Sequence, residues 1–352
     1  MAEFKVGNRF VGDNHPTYFI ADISANHDGD INRALDLCEL AKKAGADCAK
    51  FQHFRAEHIV SERGFAEVGK LAHQAGWRED VVDAFRRLSV PWEWTSILKR
   101  YCDQIGIEFM STPYDLECVD HLDPYVNAFK IGSGDITYLR LIDKIAENGK
   151  PVFIACGASD IYDVDRAMRR FIGSDVCLMQ CNTNYTADPD NFKYLQLKTL
   201  IHFRTMYPNF VLGLSDHTIG YTAVMGAVAL GARVIEKHFT DAPHRPGPDH
   251  TFSSTPQEWQ EMVHEVRNLE AALGGGRKRV EANEQETVVL QRRCLRAARA
   301  LKAGLKLAEV DFVALRPAPS GSLPPYEIDR LIGRVLKYDK EVEDAFRAGD
   351  FL

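Results

Sequence analysis

Between residues 18 and 239 the chain returns eight times to a short, almost unbroken apolar run. The runs are YFIAD (18–22), CAKFQ (48–52), EFMST (108–112), AFKIGS (128–133), PVFIAC (151–156), VCLMQC (176–181), VLGLSD (211–216) and VIEKHF (234–239). Runs of this length and apolarity read as strands covered on both faces, which is the pattern of a parallel sheet. Helical patterns fill the gaps: INRALDLCELAKKAG, PWEWTSILKRYCDQIG, LRLIDKIAENG and YTAVMGAVALGA, with PQEWQEMVHEVRNLEAALG after the last run. Eight strand–helix units favour a closed barrel over an open doubly wound sheet. The expected class is therefore α/β, a (β/α)8 or TIM barrel over residues 1–273.

The 352 residues exceed what such a barrel of about 250 residues needs. GGGRKRVEANEQET (274–287) is glycine-rich and charged, and reads as a linker. Residues 288–352 then form a second, smaller unit, short for a core of its own. Within the barrel, residues 53–91 separate the second strand from its helix, far more than the usual connection. A long loop on that side of a barrel ordinarily belongs to an active-site lid.

A formal charge of -7 leaves no surplus of cations to neutralise nucleic-acid phosphates. No apolar run approaches the roughly 20 residues that span a bilayer, and MAEFKVGNRFVGDNH has no apolar core of a secretory signal. A cytoplasmic location with no membrane partner is the expectation. The eight cysteines form no CxxC pair and read as small buried hydrophobes.

Polar residues recur where these strands end. Side chains alternate faces along a strand, and at one parity the runs end in Asp22, in Lys50 and Gln52, in Thr112, in Lys130 with Ser133 just beyond, in Thr183 and Tyr185, in Ser215 and His217, and in Glu236 and His238. Ionisable groups are costly inside a barrel unless paired or coordinated. Seven of the eight strands nevertheless place polar groups at the C-terminal end, where barrel enzymes keep their chemistry. Lys50 and Lys130 are donors suited to a phosphate and a carboxylate. Thr112, Ser133 and Ser215 add hydroxyls. A lone histidine is ordinarily a hydrogen-bonded core residue. His217 and His238, at matched heights on adjacent strands, can instead converge on one divalent ion, with Glu236 ligating or orienting a bound water. No thiolate is expected beside them, which suits a harder ion. Asp249, in the GPDH turn (247–250), is placed to meet sugar hydroxyls.

Taken in order, ADISANHDGD (21–30), AKFQ (49–52), STPYD (111–115), KIGSGD (130–135), NTNY (182–185), SDHT (215–218), EKHF (236–239) and PGPDH (246–250) resemble the sialic acid (nonulosonate) synthases. LRAARALKAG and ALRP…PPYEIDRLIG resemble the antifreeze-like SAF (β-clip) domain that follows the barrel there. The resemblance implies condensation of phosphoenolpyruvate with an N-acetylmannosamine-type or 6-deoxy diacetamido hexose, giving a nonulosonic acid and phosphate. It assigns Lys50, Thr112, Lys130, Ser133 and Ser215 to phosphoenolpyruvate. Gln52, Tyr185 and Asp249 face the sugar, and Thr183 is grouped with these substrate contacts. It gives His217 and His238 to Mn2+, with Mg2+ or Co2+ as alternatives. Asp22, Glu236 and Lys130 are the candidates for catalysis. Arg316 would reach the sugar site of the other chain in a domain-swapped homodimer. Two departures stand out. Asp22 replaces the family's usual glutamate, and the tail KYDKEVEDAFRAGDFL (337–352) differs from the usual SAF ending. Alternative readings are a metal-dependent phosphoenolpyruvate-condensing barrel that takes a phosphorylated aldose, and a non-catalytic carbohydrate-binding homologue.

Overall fold

In the computed structural model, which describes residues 2–69, 74, 77 and 79–352, the chain divides into two compact units, Met1–Gly274 and Gly275–Leu352. The first opens with a hairpin, β1 (Glu3–Val6) and β2 (Arg9–Gly12). Eight parallel strands follow and close into a barrel: β3 (Tyr18–Asp22), β4 (Cys48–His53), β5 (Glu108–Pro113), β6 (Phe129–Ile131), β7 (Val152–Ala155), β8 (Val176–Cys181), β9 (Val211–Asp216) and β10 (Val234–His238). β10 pairs with β3 to complete the ring. Every expected strand is present, each within two residues of its apolar run.

The alternation of side chains sorts these strands into two cores. Phe19, Phe51, Phe109, Phe129, Leu178 and Ile235 point outward and pack under the helices. Tyr18, Ile20, Met110, Phe153, Met179 and Val234 point inward and fill the N-terminal half of the barrel. The interior is thus a dry apolar plug below and polar above. Gly213 faces into this plug, where a Cβ would lie 3.0 Å from Cys177 Sγ, Met179 Cγ and the Val234 carbonyl. The hairpin closes the bottom: Phe4 and Val11 join the inner core, and Phe4 meets Phe153 edge-on at 5.6 Å. Its sequence signal is a Gly7-Asn8 turn, with Gly7 at φ 56°, between two alternating runs.

Several helices begin where the sequence supplies a cap. Asp30 accepts from Asn32 N ahead of Ile31–Lys43, Asp115 from Cys118 N ahead of Leu116–Leu122, and Thr255 forms a capping box with Glu258 ahead of Pro256–Leu273. The long 53–91 segment is not plain loop. It carries short helices Ala56–Ile59, Glu62–Val68 and Val81–Leu88. Residues 70–73, 75, 76 and 78 of that segment lie outside the described residues. No helix among the described residues is long and apolar enough to cross a membrane. All eight cysteines are free and buried.

The second unit pairs β11 (Cys294–Ala297) antiparallel with β12 (Phe312–Leu315). Helix Gln285–Gln291 occupies the end of the stretch expected as linker. The small core gathers Leu295, Leu301, Leu307, Leu331, Leu336 and Phe346. The divergent tail helps to build it. Phe346 packs on Phe312 at 4.8 Å and on Phe351 at 6.0 Å, Phe346 N donates to the Leu295 carbonyl, and Leu352 N donates to the Val335 carbonyl.

One charged pair interrupts the outer apolar layer. Lys237 on β10 lies in register with Asp216 on β9. Its ammonium is 2.9 Å from Asp216 Oδ2, and both side chains are essentially inaccessible. Asp216 also accepts from Thr218 N and Oγ1, and Lys237 donates to the Thr218 carbonyl. The pair ties the C-terminal ends of β9 and β10 together, beside His217 and His238. Removing one partner strands a buried charge, at a cost of about 3–5 kcal/mol. Lys237→Met should therefore lower the free energy of unfolding by about that much, and adding Asp216→Asn should recover part of it. Urea unfolding of the single and double variants checks both. A loss below about 1 kcal/mol, the range of an exposed pair, would show that the pair does not lock the strands.

Candidate active site

Above the apolar plug the inner wall turns ionic. Register sets Asp22 of β3 beside Lys50 of β4 on one side and beside His238 of β10 on the other. Lys50 Nζ is 2.7 Å from Asp22 Oδ2 and 3.9 Å from Glu236 Oε2. Lys130 Nζ is 3.5 Å from Glu236 Oε1 and donates to the Ile131 carbonyl at 3.0 Å. Ser215, in register with Glu236, donates to Glu236 Oε1 at 3.0 Å. All these side chains are at most 5% exposed. Burial by itself would depress the Lys50 pKa. Asp22 and Glu236 outweigh that and hold it above its ordinary value. The result is two ammoniums and two carboxylates in mutual contact, with Asp22 Oδ1 and Glu236 Oε2 buried and without a hydrogen-bond partner. Asp22, though a methylene shorter than glutamate, reaches both Lys50 and, at 3.5 Å, His238 Nε2.

The two imidazoles stand beside this cluster, their ring centres 5.3 Å apart. His217 Nδ1 is 3.0 Å from the Asn182 carbonyl, which can only accept, so Nδ1 carries a proton and, in the neutral ring, Nε2 keeps the lone pair. His238 Nδ1 is buried and has no hydrogen-bond partner. Asp249 Oδ2 lies 3.9 Å from it. Tyr185 covers both rings, at 4.5 Å from His217 and 6.2 Å from His238, and Phe252 packs 4.9 Å from His238. Contrary to expectation there is a thiol here, since Cys181 Sγ is 3.8 Å from His217 Nδ1. Strand parity accounts for it, because residue 181 continues the inward face of β8. Among the described residues no three His, Cys, Asp or Glu side chains form a ready metal cage.

A cavity of about 330 Å³ opens over these groups. Gln52, Ser133, Thr183, Tyr185, His238 and Asp249 line it. Asp22, Lys50, Thr112, Lys130, Ser215, Glu236 and His217 are buried on the same inner wall but do not line it. The loop after β10 is held in place by the HDG segment. Asp28, at φ 54°, accepts from Arg245 Nε at 2.8 Å and lies 3.0 Å from His250 Nε2 and 3.2 Å from Arg33 Nε. Ser24 Oγ donates to Asp249 Oδ2 at 2.6 Å. Arg316 belongs to the second unit, where it is exposed and its Nε donates to the Gln291 carbonyl.

Two further groups, Asp135 and Gly157, had no role in the sequence reading. Asp135, in the short 3-10 turn Ser133–Asp135, lines the cavity. Burial pushes its carboxyl up to about 6, against the pull of Lys130. Its only sequence signal is an acid in the glycine-rich KIGSGD loop just past a strand. Gly157 follows β7, the one strand without a polar end. A Cβ there would sit 1.9 Å from Thr183 Oγ1 and 3.0 Å from Ser133 Oγ, and the Gly157 N–H donates to Ser133 Oγ at 3.0 Å. Glycine is required because backbone, not side chain, fills this part of the wall.

A barrel with this polar mouth is matched by the NeuB family profile over residues 37–278. The chain belongs to the NeuB family, the sialic acid synthase family that its motifs resemble. It is 36% identical over its whole length to an uncharacterised protein of Methanocaldococcus jannaschii, 99% of which is covered. It is 32% identical to the N,N'-diacetyllegionaminic acid synthase of Campylobacter jejuni, over 94% of this chain and 99% of that one. The crystal structure of the N-acetylneuraminic acid synthetase of Leptospira borgpetersenii in complex with citrate aligns with a TM-score of 0.71 at 29% identity, covering 81% of this chain and 95% of that one.

The raised Asp135 pKa has a signed consequence. The unfolded chain releases this proton near pH 4, the folded chain near 6. Neutral Asp135 therefore favours the folded state below about pH 4, and that contribution is lost as pH rises through 6, at up to about 1.4 kcal/mol per unit. Asp135→Asn should gain stability relative to the parent as pH rises from 4 to 7. Urea unfolding at stepped pH checks it, and a stability difference that stays constant over that range would contradict the assignment.

Proposed function

We propose that this chain is a phosphoenolpyruvate-dependent nonulosonic acid synthase. The observation that carries the reading is the pairing of Lys50 and Lys130 with Asp22 and Glu236, buried at the barrel mouth beside His217 and beneath a cavity that His238 lines. C3 of phosphoenolpyruvate bonds to the aldehyde carbon of an open-chain amino sugar. Water adds at C2, and phosphate leaves with the bridging oxygen, so that a 2-keto-3-deoxy acid remains.

Lys50 and Lys130, with the hydroxyls of Thr112, Ser133 and Ser215, hold the phosphate and carboxylate of phosphoenolpyruvate. These anions compete for the same ammoniums that Asp22 and Glu236 engage in the free chain. The carboxylates so released each have a buried oxygen free to accept a proton from the entering water, and Lys130 stabilises the charge on phosphate as it departs. Gln52, Thr183, Tyr185 and Asp249 face the acceptor and fix its orientation.

His217 and His238 are the residues that would hold a divalent ion. The lone pair at His217 Nε2 and the unpartnered His238 Nδ1 fit that role. Two imidazoles with no further protein cage leave positions for oxygen ligands, as in catalytic sites, and Mn2+ suits that set, with Mg2+ or Co2+ as alternatives. A bound ion would supply Lewis-acid polarisation of the aldehyde oxygen. The second unit is read as an SAF domain, whose exposed Arg316 meets the sugar of a partner chain in a homodimer.

Phosphate release from phosphoenolpyruvate tests this. It should require both an amino-sugar aldehyde and a divalent ion, and should fall at least about 100-fold in His217→Ala and His238→Ala, as expected for loss of a metal ligand. Arg316→Ala should mainly raise the sugar KM. Absence of phosphate release with any hexosamine, or full activity of the histidine double variant in chelator, would refute the reading.

A further inference from the structure

Two loops meet on one side of the cavity mouth. β3 and β10 are neighbours in the ring, and the segments that follow them, 23–30 and 239–254, are joined by hydrogen bonds. Each contributes to the cavity wall, the first through Ser24 and Ala25 and the second through Pro248 and Asp249. The joint is polar and buried. Asn26 Nδ2 donates to the Phe239 carbonyl at 3.0 Å and to Ser253 Oγ at 2.9 Å, and Ser253 Oγ donates to the Asp249 carbonyl at 2.6 Å. Asp249 Oδ2 accepts from Ser24 Oγ and, at 3.3 Å, from Ala25 N.

His250, next in the chain, is fully buried and engaged at both ring nitrogens. Its Nε2 is 3.0 Å from Asp28 Oδ1, a carboxylate oxygen that can only accept, so Nε2 donates. Its Nδ1 is 2.8 Å from Thr240 Oγ1, which itself accepts from Ala242 N. The turn wraps this ring closely: a Cβ at Gly247 would lie 2.7 Å from His250 Cδ2. The other Asp28 oxygen accepts from Arg245 Nε at 2.8 Å and lies 3.2 Å from Arg33 Nε, and Arg33 also pairs with Asp241. Asp28 thus anchors the turn that carries Asp249 on both sides, through Arg245 before it and His250 after it. Neither Asp28 nor His250 lines the cavity. The ionic floor has its own partners, Lys50 with Asp22 and Lys130 and Ser215 with Glu236, and none of them is Asp28 or His250.

Resting on the synthase reading above, we propose that Asp28 and His250 are positioning residues: without touching either substrate they hold the Asp249 carboxylate at the cavity wall, and so set how well the acceptor sugar is bound. Freeing the turn at both ends moves Asp249 and leaves the phosphoenolpyruvate site as it was.

The test is phosphate release by the full chain with phosphoenolpyruvate and Mn2+. The acceptor is N-acetylmannosamine or 2,4-diacetamido-2,4,6-trideoxymannose, whichever the parent turns over. Asp28→Asn suits the backbone at φ 54° but keeps a single accepting oxygen for two anchors. It should lower the acceptor kcat/KM at least about 10-fold, mainly through KM, as expected when a binding group is misplaced. Calorimetric affinity for phosphoenolpyruvate titrated alone should change by less than about 2-fold, the coupling of independent sites. His250→Gln, whose amide can still donate to Asp28, should keep more of the acceptor kcat/KM than His250→Ala. Added to Asp249→Ala, Asp28→Asn should cost less than about 2-fold more, because no carboxylate is left to place. Where Asp249→Ala has no turnover, the phosphoenolpyruvate comparison and the glutamine rescue decide. A fall in phosphoenolpyruvate affinity equal to that in acceptor kcat/KM, no advantage of His250→Gln over His250→Ala, or the same loss with and without Asp249 would show a merely structural contact. Any of these would overturn the inference and leave the synthase reading intact. No phosphate release by the parent with either sugar would overturn both.

Discussion

Four charges share the floor of the barrel mouth, and none of them is solvated. An isolated ammonium or carboxylate there would cost several kcal/mol. Lys50 against Asp22 and Lys130 against Glu236 make the set tolerable, and Ser215 takes up one remaining lone pair. The rest of the architecture serves this arrangement. The inner plug of Phe153, Met110 and Met179 and the hairpin across the bottom keep water out from below. Register sets Asp22 level with Lys50 and Glu236 level with Ser215. The Lys237–Asp216 pair holds the last two strands together where the histidines leave them. Two unpartnered carboxylate oxygens remain, which is where an ionic cluster built only for stability would be expected to find partners.

Strand parity made most of the inner wall readable from sequence. A buried parallel strand cannot hide a lysine or glutamate without a reason, so Lys50, Lys130, Glu236 and Asp22 announced themselves. His217 and His238 followed from their matched positions on neighbouring strands. The positions that went unread act through backbone or through shape. Gly157 contributes an N–H and the lack of a side chain, which an all-apolar strand end does not signal. Cys181 looks like a small hydrophobe, and only its parity places it against His217. The hairpin around Gly7 and Asn8 went unread, because its two strands are only four residues each and lie outside the eight long apolar runs. The helices in 53–91 are short, and the side of the cavity that Phe85 and Leu88 line emerges only in the fold.

Two lengths of chain thus carry different burdens. The strand ends supply a charge-balanced floor, common to any reaction that must hold a phosphate and a carboxylate. The segment after β4 supplies much of the apolar side of the cavity. The divergent tail belongs to neither. It completes the small core of the second unit through Phe346 and Phe351, so its departure from the usual ending does not leave that unit open.

The central claim is that the ammonium pair on this floor receives phosphoenolpyruvate. Calorimetric titration of phosphoenolpyruvate into the full chain, without acceptor, measures it most directly. The account predicts saturable binding to the parent and at least about 10-fold weaker binding to Lys130→Met, the worth of one charged hydrogen bond. No binding to the parent, or equal affinity in the folded variant, would contradict it.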